Sequence, residues 1–254
     1  MRCTAIILAG SRLGGDPLAK AHGTQLKALI PVAGEPMVRR PVGALLACKE
    51  VGRIRVLTQQ PDRLEPVLKV DGRTTVERSG STIAATLEAF CFDPAVEWPL
   101  LVTTADHALL TSEMVEDFLS RASGADIAIG VVEKRALMQR LPQSERTWLK
   151  FRGGAYSGAN LFLLASAKVL PALELWRSVE QDRKKAWRLL WTVGPTTFAG
   201  AALQLRTLDQ TLDSIGRKLC LNIRAVELAD PLAAVDVDKP ADHALVEAIL
   251  EGRA

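Results

Sequence analysis

Short aliphatic runs alternate with longer amphipathic stretches along the first half of the chain, and that rhythm restricts the fold more than any other feature. Thr4–Leu8 reads as a buried strand, and the run ending at Leu100–Thr103 is apolar enough to need cover on both faces, the habit of strands inside a parallel sheet. Arg53–Thr58, Thr74–Glu77 and Ile127–Val132 read as further strands. Pro36–Lys49, Ser81–Phe92 and Thr111–Arg121 read as helices between them, the last with Glu113 in its first turn. This β-α-β-α order predicts a three-layer α/β domain with a mainly parallel, twisted sheet. In such sheets ligands sit beyond the carboxyl ends of the strands.

The second half changes character. "RTWLKFRGGAYSGANLFLL" predicts a hairpin turning at Gly153-Gly154. Ala165–Leu219 predicts a mostly helical insertion, rich in Trp, Arg and Lys and broken at Gly194-Pro195. A last strand pair, "IRAVEL" and "AAVDV", then leads to a closing helix, Ala241–Leu250, after Pro240. No repeat, low-complexity linker or clean boundary interrupts the sequence, so 1–254 reads as one domain with 165–219 inserted in it.

Bulk properties remove several functions. A net charge of +3 over 254 residues gives no general case for nucleic-acid binding. Cys3, Cys48, Cys91 and Cys220 lack CxxC or His-rich spacing, which argues against zinc and a disulfide framework and for a reducing, cytoplasmic setting. The first apolar run is too short for a signal peptide, and no run of about 18 apolar residues predicts a membrane span.

Several stretches carry chemistry. In "AIILAGSRLGGDPLAK" a strand feeds a glycine-rich turn, whose backbone N–H groups can surround an anion, and Arg12 and the later Lys27 add positive charge. A polyphosphate suits that turn; so does an ordinary βα connection with surface cations. The pattern GxxxxGK[ST] is absent. In "PLLVTTADHALLT" Asp106 falls just past the end of a central strand, where a hard oxygen ligand suits Mg²⁺. It lies too far upstream to cap the Thr111 helix, and His107 reads as a residue that shapes the loop. In "AAVDVDKPAD", Asp236 and Asp238 face opposite sides if the strand alternates, so only one points into a site unless the strand is ending. Asp242 suits the first turn of the closing helix. In "VERSGSTIAATLEAF", Ser79 or Ser81 can cap the helix. Asn160, in an apolar strand after Ser157-Gly158, needs hydrogen-bond partners, either a ligand or neighbouring backbone. Arg183, Lys184, Lys185 and Arg188 crowd one helix with Trp176, Trp187 and Trp191. That helix reads as a solvated basic face, an acceptor-phosphate site or a membrane-surface patch.

"LAGSRLGGDPLA…KALIPVAGEPM" resembles the signature of the sugar-nucleotide and cofactor nucleotidyltransferases, and the chain is similar to their MobA-like group, named for molybdenum cofactor guanylyltransferase. Gly10 and Arg12 stand closer together than in that signature, and Lys20 lies between Arg12 and Lys27; the following "ALIPVAG" assigns the family's lysine to Lys27. The resemblance implies a Rossmann-like, GT-A-like fold in which Leu8, Ala9, Gly10, Ser11 and Gly14 wrap a triphosphate. Arg12 and Lys27 then neutralise charge in the transition state, and Asp106 and Asp238 bind the metal, with Asp236 next in line. Arg78, Ser79, Gly80 and Ser81 resemble the run that meets base and ribose in related cytidylyltransferases. Ser157, Gly158 and Asn160 resemble the strand lining the acceptor pocket, and Lys184 and Lys185 lie in a segment longer than small members have. The implied activity is Mg²⁺-dependent transfer of a nucleoside monophosphate from an NTP, CTP or GTP favoured, to a phosphorylated small-molecule or lipid-like acceptor, with release of pyrophosphate. A peripheral membrane contact is a second use of the basic, Trp-rich segment. Two rivals stand beside it. A related glycosyltransferase would show a contiguous DxD where "TADHA" has one Asp; the other rival is a non-catalytic nucleotide-binding or membrane-associated protein.

Overall fold

The computed structural model describes residues 2–10, 15–68, 72–180 and 205–253. Its strands are β1 (Cys3–Leu8), β2 (Pro31–Val32), β3 (Glu35–Pro36), β4 (Val51–Thr58), β5 (Thr74–Arg78), β6 (Leu100–Thr104), β7 (Ile127–Glu133), β8 (Leu149–Phe151), β9 (Gly154–Leu164) and β10 (Ile223–Glu227). The helices are α1 (Pro17–Ala21), α2 (Arg39–Ala47), α3 (Pro61–Leu68), α4 (Ile83–Phe90), α5 (Ser112–Arg121), α6 (Lys134–Arg140), α7 (Leu170–Glu180), α8 (Leu208–Leu219) and α9 (Pro240–Leu250).

The main sheet runs β10-β7-β9-β6-β1-β4-β5, with β8 paired to β9. β1 pairs in parallel with β4 and β6, β4 with β5, and β10 with β7. Among the described strands of this sheet only β9 runs against the rest; β8 pairs antiparallel with β9 and so shares the common direction. The continuous apolar run of β1 is explained by burial on both faces. Ala5 and Ile7 join the cluster that includes Val42, Val115 and Phe118 of α2 and α5. Ile6, pointing the other way, joins Leu87 of α4, Leu173 of α7 and Leu212 of α8. Each fully buried Ile of this kind contributes about 1.5–3 kcal/mol of transfer free energy, and Thr4 is the strand's one buried polar residue. Among the described residues no helix is long and apolar enough to cross a membrane.

Four local expectations change. The stretch "AAVDV" is not a strand: Asp230 Oδ1 accepts from Leu232 N at 2.9 Å and starts a 3-10 turn over Pro231–Ala234, after which 235–239 is irregular. Its apolar residues are buried because the turn packs on the core, and burial, not a ladder, produces the strand-like alternation. The helix expected over Pro36–Lys49 begins only at Arg39, because Pro36 pairs with Pro31 in a small hairpin. The turn of that hairpin, Ala33-Gly34, has positive φ at both residues (47° and 82°), the conformation two-residue hairpins need and glycine supplies most readily. The helix expected over Ser81–Phe92 is capped by neither serine; Thr82 Oγ1 accepts from Ala85 N at 3.1 Å. A helix also forms over Lys134–Arg140, where only Leu137 is buried, too sparse an apolar face to show as a period.

The register of the sheet slips at Cys3/Thr4, where β1 meets β4, and again along β9. Between Ile129↔Phe162 and Val131↔Gly158 the register slips, and Asn160 adopts φ 48°. The bulge presses on Gly130: a Cβ there would stand 3.1 Å from Leu161 Cβ and 3.2 Å from Leu161 O. A side chain at Gly130 would therefore need Leu161, in the bulge across from it, to give by a few tenths of an ångström. Gly130→Val is expected to destabilise the protein by about 1–3 kcal/mol through overpacking, read as a lowered thermal midpoint.

Candidate active site

The ends of the central strands converge. Leu8 of β1 pairs with Leu57 of β4 on one side and Thr104 of β6 on the other, so the connections after these strands lie side by side, where a parallel sheet of this order binds ligands. Asp106 stands two residues past β6, in a turn tied back to β1 by Ala105 N donating to Leu8 O at 3.0 Å. Thr104 Oγ1 donates to Asp106 Oδ1 at 2.5 Å and fixes the carboxylate's rotation.

Lys27 reaches the same place from a different platform. It opens a 3-10 turn, Lys27–Leu29, that runs into the β2–β3 hairpin. The hairpin is closed on that turn by Met37 N to Ile30 O (2.8 Å) and Val38 N to Ala28 O (3.0 Å), with Met37 and Val38 fully buried. The stretch "KALIPVAGEPM" thus acts as one rigid mount for a single ammonium. Lys27 Nζ lies 2.5 Å from Asp106 Oδ2 and 2.5 Å from Asp238 Oδ1. Burial opposes its charge, but the two carboxylates more than offset that, and the lysine pKa rises above its ordinary value. Lys27 is therefore a fixed cation and not a proton acceptor.

Asp236 faces inward next to this cluster, contrary to the strand reading that turned it away. With no strand at 235–239, alternation does not set its direction. Its Oδ1 pairs with Arg146 Nη1, and its Oδ2 accepts from Asn160 Nδ2 at 3.0 Å. Both side chains of the pair are largely covered, Arg146 14 % and Asp236 13 % exposed. Burial alone would raise the Asp236 pKa; Arg146, Asn160 and the field of Lys27 reverse this and hold it below the usual carboxylate range. Beneath them His107 is buried, its Nδ1 3.3 Å from Thr103 Oγ1, and desolvation drives its pKa down to about 4, so it is neutral and shapes the loop from within.

The other sequence candidates divide. Ala9 is buried, and Gly10 lies against the Gln59 side chain, so the loops after β1 and β4 touch. Arg78 Nη1 donates to Gln59 O at 2.9 Å, and Gly80 N donates to Thr86 Oγ1 at 3.0 Å. Ser79 Oγ is buried without a hydrogen-bond partner among the described residues, and Ser81 is exposed. These residues gather past β1, β4 and β5, on the opposite side of β1 from Asp106. Ser157 is buried opposite Val132, and Gly158 is exposed, two residues before Asn160. Ser11, Arg12, Gly14, Lys184 and Lys185 lie outside the described residues. Sequence reasoning missed Arg146 and the role of Thr104. Arg146 carried no motif; only the need of a buried Asp236 for a counter-charge could have prompted a search for it.

Residues 5–194 match the family model of the MobA-like NTP transferase domain. The chain belongs to the MobA-like NTP transferase family. Among solved structures, a hypothetical transferase from Thermus thermophilus is 31 % identical, with 96 % of this chain and 100 % of that one covered and a TM-score of 0.79. Two more distant structures share the fold. One is 4-diphosphocytidyl-2C-methyl-D-erythritol synthase from Anaerococcus prevotii, at 12 % identity, TM-score 0.60, and 98 % and 96 % of the two chains covered. The other is CMP:2-keto-3-deoxy-manno-octonic acid synthetase, complexed with CTP, at 14 % identity, TM-score 0.60, and 100 % of both chains covered. No curated protein matches the chain. As a MobA-like family member it is an NTP-transferase-type enzyme.

The Asp236 pair makes stability depend on pH with a definite sign. The folded state keeps this carboxylate ionised to lower pH than the unfolded chain does, so its contribution is complete above the unfolded pKa of about 3.9 and fades as pH falls through the lower folded value. Thermal midpoints measured from pH 6 to 3 should fall more steeply for the wild type than for Asp236→Asn, which lacks the titrating group.

Proposed function

We propose that this protein transfers a nucleoside monophosphate from an NTP to a phosphorylated acceptor with release of pyrophosphate, CTP and GTP being the nucleotides to test first. The observation that carries this reading is the single ammonium of Lys27 held between Asp106 and Asp238 at the carboxyl ends of the central strands. An acceptor phosphate oxygen forms the new bond to the α-phosphorus, and the bond to the bridging oxygen breaks as pyrophosphate departs. The attacking oxygen is already anionic near neutral pH, so no protein base or nucleophile is required. The protein's task is positioning and charge neutralisation.

The donor set fits a hard divalent cation. Two carboxylates converge on one positive centre, one of them oriented by Thr104, while both oxygens of Asp236 are already taken by Arg146 and Asn160. Asp106 and Asp238 are therefore the residues to hold such an ion, Mg²⁺ on the sequence reading, and when bound it supplies positive charge against the phosphate oxygens. Lys27, kept charged by its setting, then turns from the carboxylates to the phosphates. Arg12 assists it, and Arg78 to Ser81 contact base and ribose; these roles rest on the family signature. Ser157, Gly158 and Asn160 border the acceptor, and Lys184 and Lys185 add cations on that side on sequence grounds alone. In this reading 1–254 acts as one transferase unit, with 165–219 as the insertion that sets the acceptor and any membrane contact.

Purified protein should release pyrophosphate from one of the four NTPs in the presence of Mg²⁺ and a phosphorylated acceptor, and that NTP should raise the thermal midpoint. Lys27→Ala is expected to lower turnover by about 10²–10³, the loss typical of a transition-state charge partner, with the fold intact by circular dichroism. Asp106→Asn and Asp238→Asn should each abolish the divalent-dependent reaction. Turnover that survives Lys27→Ala within about twofold, far short of that loss, would sink the reading.

A further inference from the structure

We infer that Arg146 is a positioning residue for this site: by holding Asp236 it keeps Asp238 aimed at the shared cation and leaves Lys27 free for Asp106 and Asp238. The inference rests on the proposed function.

Two observations support it. The first is mechanical. Residues 235–239 belong to no ladder, so separate anchors set their course. Val237 N donates to Asp106 O at 3.1 Å, which binds this segment directly to the Asp106 turn. Asp242 Oδ2 accepts from Asp238 N at 3.1 Å and from Lys239 N at 2.8 Å. The third anchor is Asp236, gripped by Arg146 from the loop between α6 and β8 and by Asn160 from the bulge of β9. Asp238 itself is 52 % exposed. Little packs on its side chain, so its aim follows from the backbone that those anchors fix.

The second is charge balance. Three carboxylates, Asp106, Asp236 and Asp238, meet two cations, Lys27 and Arg146. Arg146 neutralises Asp236, and Lys27 is left to the other two. Lys27 already acts on Asp236 through space. Without Arg146, a buried Asp236 would compete for the same ammonium, and three carboxylates would share one positive charge. A buried charge stripped of its partner is the costly case, and the nearest remedy is to pin Lys27 among the three carboxylates, where it competes with a divalent ion and is lost to the phosphates.

The test compares Arg146→Gln, Arg146→Lys, Asp236→Asn and the double variant Arg146→Gln/Asp236→Asn with the wild type. Mn²⁺ binding is read by electron paramagnetic resonance in the presence of a non-hydrolysable analogue of the preferred NTP, alongside kcat, KM for the NTP and the thermal midpoint. Arg146→Gln should weaken Mn²⁺ binding and lower kcat, each by about tenfold, the scale of one charge-assisted hydrogen bond. KM for the NTP should stay within about twofold, since a positioning role leaves nucleotide contacts in place. The double variant should recover part of the Mn²⁺ affinity, because removing the orphaned carboxylate restores the balance of charge; a residue that merely supports the fold would give additive losses instead. Wild-type Mn²⁺ affinity and turnover in Arg146→Gln, or strictly additive losses in the double variant, overturn the inference. Should Arg146→Gln not fold, Arg146→Lys decides: a fall in Mn²⁺ affinity of about threefold supports the inference, since lysine loses the guanidinium's fixed fork, and no change overturns it. If the wild type binds no Mn²⁺ with nucleotide present, or Asp238→Asn binds as well as the wild type, the proposed function itself fails and this inference falls with it.

Discussion

One ammonium joins parts of the chain that are otherwise remote. Lys27 meets Asp106 across 79 residues and Asp238 across 211, so one side chain bonds the amino-terminal hairpin to both the turn after β6 and the carboxyl-terminal segment. Three elements have to be correctly placed for the two 2.5 Å contacts to coexist. The hairpin mount, the Thr104 tether and the anchors on 235–239 are each explained by that demand. A long flexible side chain held this firmly gives up rotamer freedom worth up to about 2 kcal/mol, which charge-assisted hydrogen bonds to two carboxylates can offset.

Much of the frame could be read from residues alone. β1 announces itself because its faces are both buried, so Ala5 to Leu8 form an unbroken apolar run. Asp106 was accessible by rule: a carboxylate just past a central strand of a parallel sheet stands where ligands go. "KALIPVAGEPM" was recognisable as a motif, although the sequence did not disclose that its second half is a hairpin bracing its first residue. What failed, failed for physical reasons. Ala233, Val235 and Val237 imitate a strand because they are buried, and burial by a packed turn leaves the same alternation as a ladder. That misreading allowed only one of Asp236 and Asp238 to face the site. Arg146 was invisible because its partner lies 90 residues away and its loop has no periodicity to interpret.

One unusual backbone conformation adjoins the site, while others, such as that of Cys220 (φ 54°), lie at the remote end of the sheet. Asn160 takes a left-handed backbone inside a strand, a conformation few residues other than glycine accept readily. It is held there by the bulge that Gly130 admits and by the bond its amide makes to Asp236. At helix starts the chain follows its propensities: prolines open α1, α3 and α9, and Thr111 caps α5.

The reversed direction of β9 has an evolutionary corollary. Because it runs against its neighbours, this strand of 11 residues begins at the site's edge and delivers the chain to the far edge of the sheet, on the order of 35 Å away at about 3.3 Å per residue. The connection that follows Leu164 thus leaves from the end of the sheet remote from Lys27, Asp106 and Asp238, and it comes back beside the β8–β9 hairpin, where Arg152 N donates to Arg206 O at 2.9 Å. Lengthening, trimming or exchanging that connection leaves the register of the central strands untouched. A lineage could therefore lengthen or shorten this connection where it leaves β9 while inheriting its charge cluster unaltered.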